Sequence, residues 1–263
     1  DFEEEIMTMR EVCHLWAIEG NEKIKQVHSF NQVDEGVIIT SDITLFKELK
    51  LRILNGTHTF NCGTAFLCGF NITREAVNHP LYGAFTKELM QYEIAPAIPF
   101  SIDEKVKADF ADKVFERFGN PFIDHQWQSI TVQYTSKMRM RNVPLLEKHF
   151  ELSNTVPMHM ATGFAAYLLY MKVTRKAGNK YFGTRNAEEY EIKDDSAEYF
   201  FDIWQKNNSD EVAAAVMANN DLWETDLTKF PGFLQAVQEQ LRECIHNGVL
   251  ATVEQLESKK ITA

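Results

Sequence analysis

The sequence predicts a mainly α-helical protein, in which many helices follow a short N-terminal segment of mixed α/β structure. From residue 41 onward, apolar side chains recur at helical spacing, whereas residues 1–40 contain short β-branched pieces between turn residues. The length of 263 residues and the hydrophobic content of 44% are sufficient for a substantial core. We therefore expect one or two domains, with a boundary near Thr40.

The first 40 residues are expected to contribute strands and turns. Their short apolar or β-branched pieces, separated by glycine and asparagine, lie at residues 6–9, 13–18 and 37–40. Val12, Leu15 and Ile18 could equally line one face of a helix, so a helical alternative stays open for this segment.

Helices are predicted from residue 41 onward. Asp42 is placed to cap the first of them, and the helical pattern then runs on to Phe70. The next helix, residues 81–94, is closed by Pro96 and Pro99, because proline cannot continue a helix. Later helices are predicted at residues 122–134, 158–176, 196–207, 211–219, 231–246 and 249–258.

Residues 101–118 have the clearest amphipathic pattern. Ser101 and Glu104 have the spacing of a capping box at the start of a helix. The apolar stripe that should face the core consists of Val106, Phe110, Val114 and Phe118. By contrast, residues 181–195 combine glycine with mixed charges, and we expect them to form a loop.

The stretch KLRILNGTHTFNCGTAFLCGF, residues 50–70, carries the candidate site. In an α-helix, Asn55 lies about 140° and His58 about 80° around the axis from Lys50, so the three side chains share one broad sector. Each glycine in this stretch costs a helix on the order of 1 kcal/mol relative to alanine. Because there are glycines at positions 56, 63 and 69, we expect another element to pack very close to this backbone.

A lysine beside two neutral hydrogen-bonding side chains suits the reduction of a carbonyl. Hydride addition converts C=O into an alkoxide, which needs a proton donor and groups that hold the negative oxygen. Lys50 could donate the proton while Asn55 and His58 polarise the carbonyl. For that role we expect Lys50 to be buried among its apolar neighbours and close to Arg52. The alternative is that Lys50 is a surface lysine and the other two are ordinary helix residues.

The run KLRILNGTHT resembles the signature of the long-chain mannitol dehydrogenase family. The resemblance implies that Lys50 is the catalytic acid/base and that Asn55 and His58 bind the substrate oxygen. Family members tend to carry a glutamate three residues before the lysine, where this chain has Lys47 beside Glu48, so a proton relay through that position is in doubt. Other stretches that resemble the family, in the same order, are HLWAIEG, VIITSDITLFKELK, RFGNPFIDHQWQSI, SKMRMRNVPLL and DLWETDLTKFPGF.

The resemblance also implies a fold and an activity. The fold would be the multi-helix C-terminal domain of the mannitol dehydrogenase type, similar to that of 6-phosphogluconate dehydrogenase. Residues 1–40 would be the end of a Rossmann nucleotide-binding domain, and residues 41–263 the helical substrate-binding and catalytic domain. The implied activity is the NAD-dependent interconversion of D-tagaturonate and D-altronate. Alternatives are a mannonate (fructuronate) or polyol dehydrogenase of the same family, and a non-catalytic helical interaction domain.

A uronate substrate carries a carboxylate, which requires cationic or hydrogen-bonding partners. The candidate substrate-binding residues for its far end are His125, Gln126, Lys137 and Arg141, in a short span that also contains Asn120 and Arg139. The alternative is that residues 137–141 decorate a helix C-terminus, where cations interact favourably with the helix dipole.

The sequence contains neither G-x-G-x-x-G nor G-x-x-x-x-G-K, so it shows no loop that could cradle the phosphates of a dinucleotide. We therefore expect NAD to be bound mainly by a Rossmann domain absent from this chain. That N-terminal domain and a small-molecule sugar acid are the expected partners, and the chain alone is expected to be inactive.

Charge and cysteine content exclude several other classes. A formal charge of −11 and a pI near 5.2 argue against nucleic acid and anionic membranes as partners. The four cysteines lack zinc-binding spacing, and the histidines show no ligand spacing, so no metal site is predicted. With no apolar run near 18 residues and no signal peptide, a reduced, cytoplasmic protein is expected.

Overall fold

The computed structural model describes residues 15–261. The chain divides into two compact units between Glu48 and Leu49. In the first unit, strands β1, Trp16–Glu19, and β2, Val37–Thr40, pair in parallel. Between them lie helix α1, Glu22–Val27, and the 3₁₀ turn Ser29–Gln32.

The strands predicted at residues 13–18 and 37–40 are confirmed within the described range, in which β1 begins at Trp16. The helical alternative is wrong, because Ile18 pairs with Ile39 in the parallel ladder. The strand predicted at residues 6–9 lies outside the described residues, as does Val12. The assignment of this segment to a Rossmann domain stays a prediction.

Helix α2, Thr44–Leu49, begins where the sequence predicts an N-cap. The carboxylate of Asp42 accepts a hydrogen bond of 2.8 Å from the backbone N–H of Thr44. Hydrogen bonds from the side chain and backbone of Thr44 lower the pKa of Asp42. Asp42 therefore caps the first turn as predicted, although Ile43 holds the N-cap position itself, because its carbonyl accepts the Lys47 N–H.

The helix that follows α2 changes geometry along its length. Residues Lys50–Gly56 form a π-helix, called the first π segment below, and α3 follows at Thr57–Leu67. A π-helix has i→i+5 hydrogen bonds and is frequent at functional sites. The predicted helix is confirmed up to Leu67, but its turns at residues 50–56 are wider than those of the α-helix assumed from the sequence.

Two more helical regions complete the first half of the second unit. The predicted helix at residues 81–94 is confirmed, although its second part is again π-helical. The elements are α4, Thr73–Asn78, α5, Pro80–Glu88, the second π segment, Leu89–Ile94, and α6, Glu104–Phe118.

Helix α6 corrects the predicted capping box. Asp103, not Ser101, is the N-cap, because its carboxylate accepts hydrogen bonds from two N–H groups of the first turn. The predicted stripe is only partly correct. Val114 and Phe118 are buried, whereas Val106 is 40% exposed.

The predicted helix at residues 122–134 is wrong. Backbone hydrogen bonds tie this stretch to the start of α4 instead, since the Thr73 N–H donates to the His125 carbonyl and the Trp127 N–H donates to that of Asn71. A backbone used in this way cannot continue a helical ladder. The observed elements are α7, Trp127–Ile130, α8, Tyr134–Lys137, the third π segment, Met138–Asn142, and α9, Val143–Leu152.

The predicted loop at residues 181–195 is also wrong, and the helix predicted to reach residue 176 stops earlier, because α10 ends at Tyr170. The segment forms an antiparallel sheet, whose tight turn has Asn186 and Ala187 at positive φ. The strands are β3, Arg175–Ala177, β4, Lys180–Arg185, and β5, Glu188–Ile192.

The remaining predicted helices are confirmed, α10 with the earlier end given above and the others to within a few residues at their ends. They are α10, Met158–Tyr170, α11, Ala197–Lys206, α12, Ser209–Met217, α14, Phe233–Asn247, and α15, Val249–Ile261, with the short α13, Asn220–Trp223, and a 3₁₀ turn at Leu227–Lys229. The predicted mainly helical fold class is therefore correct. Buried α10 lies at the centre and packs against α3 and α14.

The close packing predicted against the backbone of residues 50–70 is confirmed at two of its three glycines. A Cβ on Gly56 would lie 3.2 Å from Asn142 Oδ1, and one on Gly63 would lie 2.9 Å from the Tyr134 hydroxyl. Gly69 is different, because its φ of +101° ends the helix and nothing lies within 4 Å of its Cβ position. On the facing helix, a Cβ on Gly163 would lie 2.9 Å from Phe60 Cδ1 and 3.2 Å from the Phe60 carbonyl oxygen.

Gly163→Ala is expected to destabilise the protein. Overpacking costs up to about 3 kcal/mol and relief of a helical glycine returns about 1 kcal/mol, so the free energy of unfolding should fall by up to roughly 2 kcal/mol. Urea unfolding measures this change. Gly119→Ala is the matched control, because its nearest neighbour would be 3.5 Å away at ordinary contact distance. Equal stability of the two variants would contradict the close approach of α10 and α3.

Candidate active site

Lys50 is the first residue of the first π segment, and Asn55 is its next-to-last residue. Backbone hydrogen bonds of a π-helix join residues five apart, which is the spacing of this pair. The wider turn therefore brings Asn55 closer to the side of Lys50 than the 140° of an α-helix would. The predicted burial of Lys50 is wrong, because its side chain is exposed while Asn55 is half-buried.

His58 lies in the first turn of α3 and is 6% exposed. Its ring stacks on Phe118 at 4.2 Å and meets Trp127 edge-on at 5.8 Å. Burial lowers the pKa of His58 well below its usual value, and the charges of His125, Arg117 and Arg141 lower it further. The imidazole is therefore neutral near pH 7, and its Nδ1 is buried without a hydrogen-bond partner among the described residues.

His125 and Gln126 lie on the stretch between α6 and α7. The His125 ring meets that of His58 edge-on at 5.2 Å, and its backbone carbonyl is held by the N–H and hydroxyl of Thr73. Both side chains are exposed. The fold thus brings His125 to His58, while Gln126 is placed by the backbone bridge that pairs it with Ile72.

Lys137 and Arg141 lie one helical turn apart on the run formed by α8, the third π segment and α9. Lys137 is half-buried, and its Nζ donates a hydrogen bond of 2.9 Å to the Ile130 carbonyl. Burial, followed by the charge of Arg141, lowers the pKa of Lys137, and burial also lowers the pKa of Arg141. Half-burial beside a cation, the environment expected for Lys50, is therefore found at Lys137.

Arg141 connects this run to the helix of His58. Its Nη1 donates to the Thr59 hydroxyl at 3.1 Å, and that hydroxyl donates to the Asn55 carbonyl at 2.7 Å. Arg139 instead turns towards Glu224, with which it forms an ion pair of 3.3 Å. Because the helical run continues through residues 137–141, these cations do not sit at a helix C-terminus.

Sequence reasoning missed the aromatic wall around His58, formed by Phe118 and Trp127. The available signal was the run HQW, in which a large aromatic residue directly follows two polar candidates. Within the described part of the chain, no group of three His, Cys, Asp or Glu side chains could hold a metal ion. The described helices also include none that is long and apolar enough to cross a membrane.

Comparison with known proteins gives the family. The mannitol dehydrogenase C-terminal domain model matches residues 42–245. Altronate oxidoreductase of Phocaeicola vulgatus is 29% identical over 252 residues, covering 96% of this chain and 51% of the relative. The Bacillus subtilis altronate oxidoreductase is 30% identical, covering 97% and 50%. The chain thus spans about half the length of these curated relatives.

Solved structures share the fold. Mannitol 2-dehydrogenase of Pseudomonas fluorescens, in a ternary complex with NAD and D-mannitol, superposes with a TM-score of 0.72 at 24% identity, over 88% of this chain and 44% of that one. A substrate-free D-sorbitol dehydrogenase gives 0.58 at 18% identity, over 83% and 42%. With its family match and its helical fold, the chain belongs to the mannitol dehydrogenase C-terminal domain family.

Proposed function

We propose that this chain is the substrate-binding and catalytic C-terminal part of an NAD-dependent oxidoreductase that interconverts D-tagaturonate and D-altronate. The names of the altronate oxidoreductase relatives support the sugar-acid class. The observation that carries the proposal is the contact of Arg141 with Thr59, which places a half-buried cation against the helix that carries Asn55 and His58.

The residues of this chain would manage the substrate oxygen. In the reduction direction, the Lys50 ammonium would give its proton to the developing alkoxide, and exposure lets it exchange protons with water. Asn55 would donate a hydrogen bond to the same oxygen. Neutral His58, buried against Phe118, would donate a second without adding a charge.

The carboxylate of the substrate would bind to Lys137 and Arg141, with His125 and Gln126 nearby in sequence. Burial weakens the hydration of both cations, as the lowered pKa values of Lys137 and Arg141 indicate. Partly desolvated cations interact more strongly with an anion than solvated ones do. An uncharged sugar would gain nothing from this arrangement, so these cations favour a uronate.

This chain offers no recognisable binding site for the NAD cofactor. No glycine-rich phosphate loop exists in its sequence, so no residue is assigned to NAD. Since the relatives are about twice as long, the remaining half of the protein would be the Rossmann domain that holds NAD. We place the whole enzyme in the cytoplasm, in keeping with its cysteine pattern.

A second candidate is a polyol or mannonate dehydrogenase, and the mannitol complex of the structural neighbour favours the polyol enzyme of these two. A polyol and its ketose are uncharged, whereas mannonate and fructuronate carry a carboxylate, as altronate and tagaturonate do. The third, a non-catalytic interaction domain, predicts no turnover of any sugar. Activity of the full-length protein with tagaturonate, fructuronate and fructose therefore separates these candidates.

The test compares kcat/KM for tagaturonate and fructose in the full-length wild type and in Lys137→Met and Arg141→Met. Loss of a charge-assisted contact should lower the value for tagaturonate about 10- to 150-fold, corresponding to about 1.5–3 kcal/mol, and leave fructose little affected. Arg139→Met is the matched control, because Arg139 pairs with Glu224 instead. Equal losses for both substrates, or none, would reject the carboxylate site.

A further inference from the structure

We propose that Arg52 and Asn142 are positioning residues that lock the first and third π segments in one register, and that this register sets the discrimination between charged and uncharged substrates. The second half of this inference rests on the proposed function. The first half concerns only contacts within the fold. Neither residue belongs to the predicted site, and neither needs to touch substrate.

Arg52 makes the first half of the lock. It lies in the first π segment between Lys50 and Asn55 and is only 8% exposed. Its Nη1 donates hydrogen bonds to two consecutive carbonyls of the third π segment, Met140 at 2.9 Å and Arg141 at 2.8 Å. A guanidinium presents several donors in a rigid plane, so it can hold two carbonyls in a fixed geometry that lysine cannot reproduce.

Asn142 forms the second half of the lock, with its hydrogen bond donated from the third π segment to the first. It is fully buried at the end of the third π segment, and its Nδ2 donates to the Gly56 carbonyl of the first at 3.3 Å. Glycine suits this close approach, because a Cβ on Gly56 would lie 3.2 Å from Asn142 Oδ1, closer than most Cβ contacts. That oxygen has no hydrogen-bond partner among the described residues. A buried orphan acceptor costs about 1–3 kcal/mol, which points to a role beyond stability.

The lock joins the two halves of the candidate site. The carbonyl that Arg52 holds belongs to Arg141, whose side chain reaches Thr59. Any slip between the π segments would therefore move the cations relative to Lys50 and Asn55. A misplacement of about 1 Å can cost on the order of 100-fold in rate. A uronate must contact the cations and the pair Lys50 and Asn55 at the same time, so such a slip would weaken its binding in the transition state. A ketose without a carboxylate needs only Lys50 and Asn55.

Two other roles for Arg52 make different predictions. If Arg52 acts only through its positive charge, Arg52→Lys retains the effect. If it only stabilises the fold, Arg52→Met lowers kcat/KM for charged and uncharged substrates equally. The lock predicts that both variants lose selectivity for the charged substrate, because neither retains a planar fork.

The experiment measures the ratio of kcat/KM for tagaturonate to that for fructose in the full-length protein. Arg52→Lys and Arg52→Met should each lower this ratio by about tenfold, the effect of one charge-assisted contact. The matched control is Arg185→Met, since Arg185 donates to the Phe66 carbonyl at 3.0 Å, at the far end of the same helix. Its ratio should stay at the wild-type value. A wild-type ratio in Arg52→Lys, or equal losses for both substrates, would overturn the inference.

Hydrogen exchange tests the lock without activity. In Arg52→Met, amides of both π segments, at residues 51–57 and 139–143, should exchange about tenfold faster, whereas Arg185→Met should leave both stretches at wild-type rates. Unchanged exchange in Arg52→Met would reject the lock itself. If exchange rises while Lys137→Met keeps full selectivity, the carboxylate site of the proposed function fails and the selectivity half of this inference falls with it.

Discussion

Replacement of Lys50 by alanine in the full-length protein is expected to lower kcat by about 10²- to 10⁴-fold, the contribution of a general acid or base. The physical reason is that the alkoxide formed by hydride addition needs a proton, which the exposed Lys50 ammonium would supply at the end of the first π segment. Steady-state turnover of tagaturonate measures the effect. KM should change less than kcat, because the proton moves in the transition state.

Lys47→Ala is the matched control. Lys47 is also exposed and lies three residues before Lys50 on α2, at the position where the resemblance leads one to expect a glutamate. Its loss should leave kcat within the same order of magnitude. Asn55→Ala and His58→Ala should each cost roughly 10²- to 10³-fold if they hold the oxyanion. Near-native turnover in Lys50→Ala would remove it from the catalytic role.

The helical fold could be predicted because apolar periodicity reports burial directly. Val114 and Phe118 face the core as their spacing indicates. The π segments could not be predicted, because one extra residue per turn leaves no clear mark in a short pattern. As a result, the angular relation of Lys50 and Asn55 was estimated for the wrong helix.

Tertiary contacts account for the larger errors. The stretch at residues 122–134 was expected to be one helix, yet its backbone forms hydrogen bonds with residues 71–73. The sheet at residues 175–192 was missed because its tight turn uses Asn186 and Ala187, where a positive φ usually signals glycine. The burial of Lys50 was inferred from apolar neighbours in sequence, but such neighbours can face the core while the lysine faces solvent.

A buried charge cluster outside the candidate site supports the fold that carries it. His159, at the start of α10, lies between two carboxylates, with Nδ1 2.7 Å from Glu93 Oε1 and Nε2 2.9 Å from Glu257 Oε1. All three residues are at most 8% exposed. If both carboxyl groups are ionised, each ring nitrogen must donate an N–H group, so we expect His159 to be an imidazolium. Glu93 also accepts the backbone N–H groups of His159 and Met160, and so caps α10.

His159→Ala is expected to lower the free energy of unfolding by about 3–5 kcal/mol, because it leaves two buried carboxylates without their shared cation. The cluster joins the second π segment, α10 and α15. Its loss should therefore also release α15 from the fold before the other helices. Urea unfolding gives the energy, and exchange of the amides at residues 249–259 shows the loosening.

His149→Ala is the control for this change, since the His149 ring makes one exposed hydrogen bond, at 2.8 Å to the Thr155 carbonyl. Its loss should cost only about 1 kcal/mol. Nitrogen NMR of the wild type should show both His159 ring nitrogens protonated at pH 7. A neutral ring there would mean that one carboxylate carries the proton instead. In that case His159→Ala would leave less uncompensated charge, and the free energy of unfolding that it removes would approach that removed by His149→Ala.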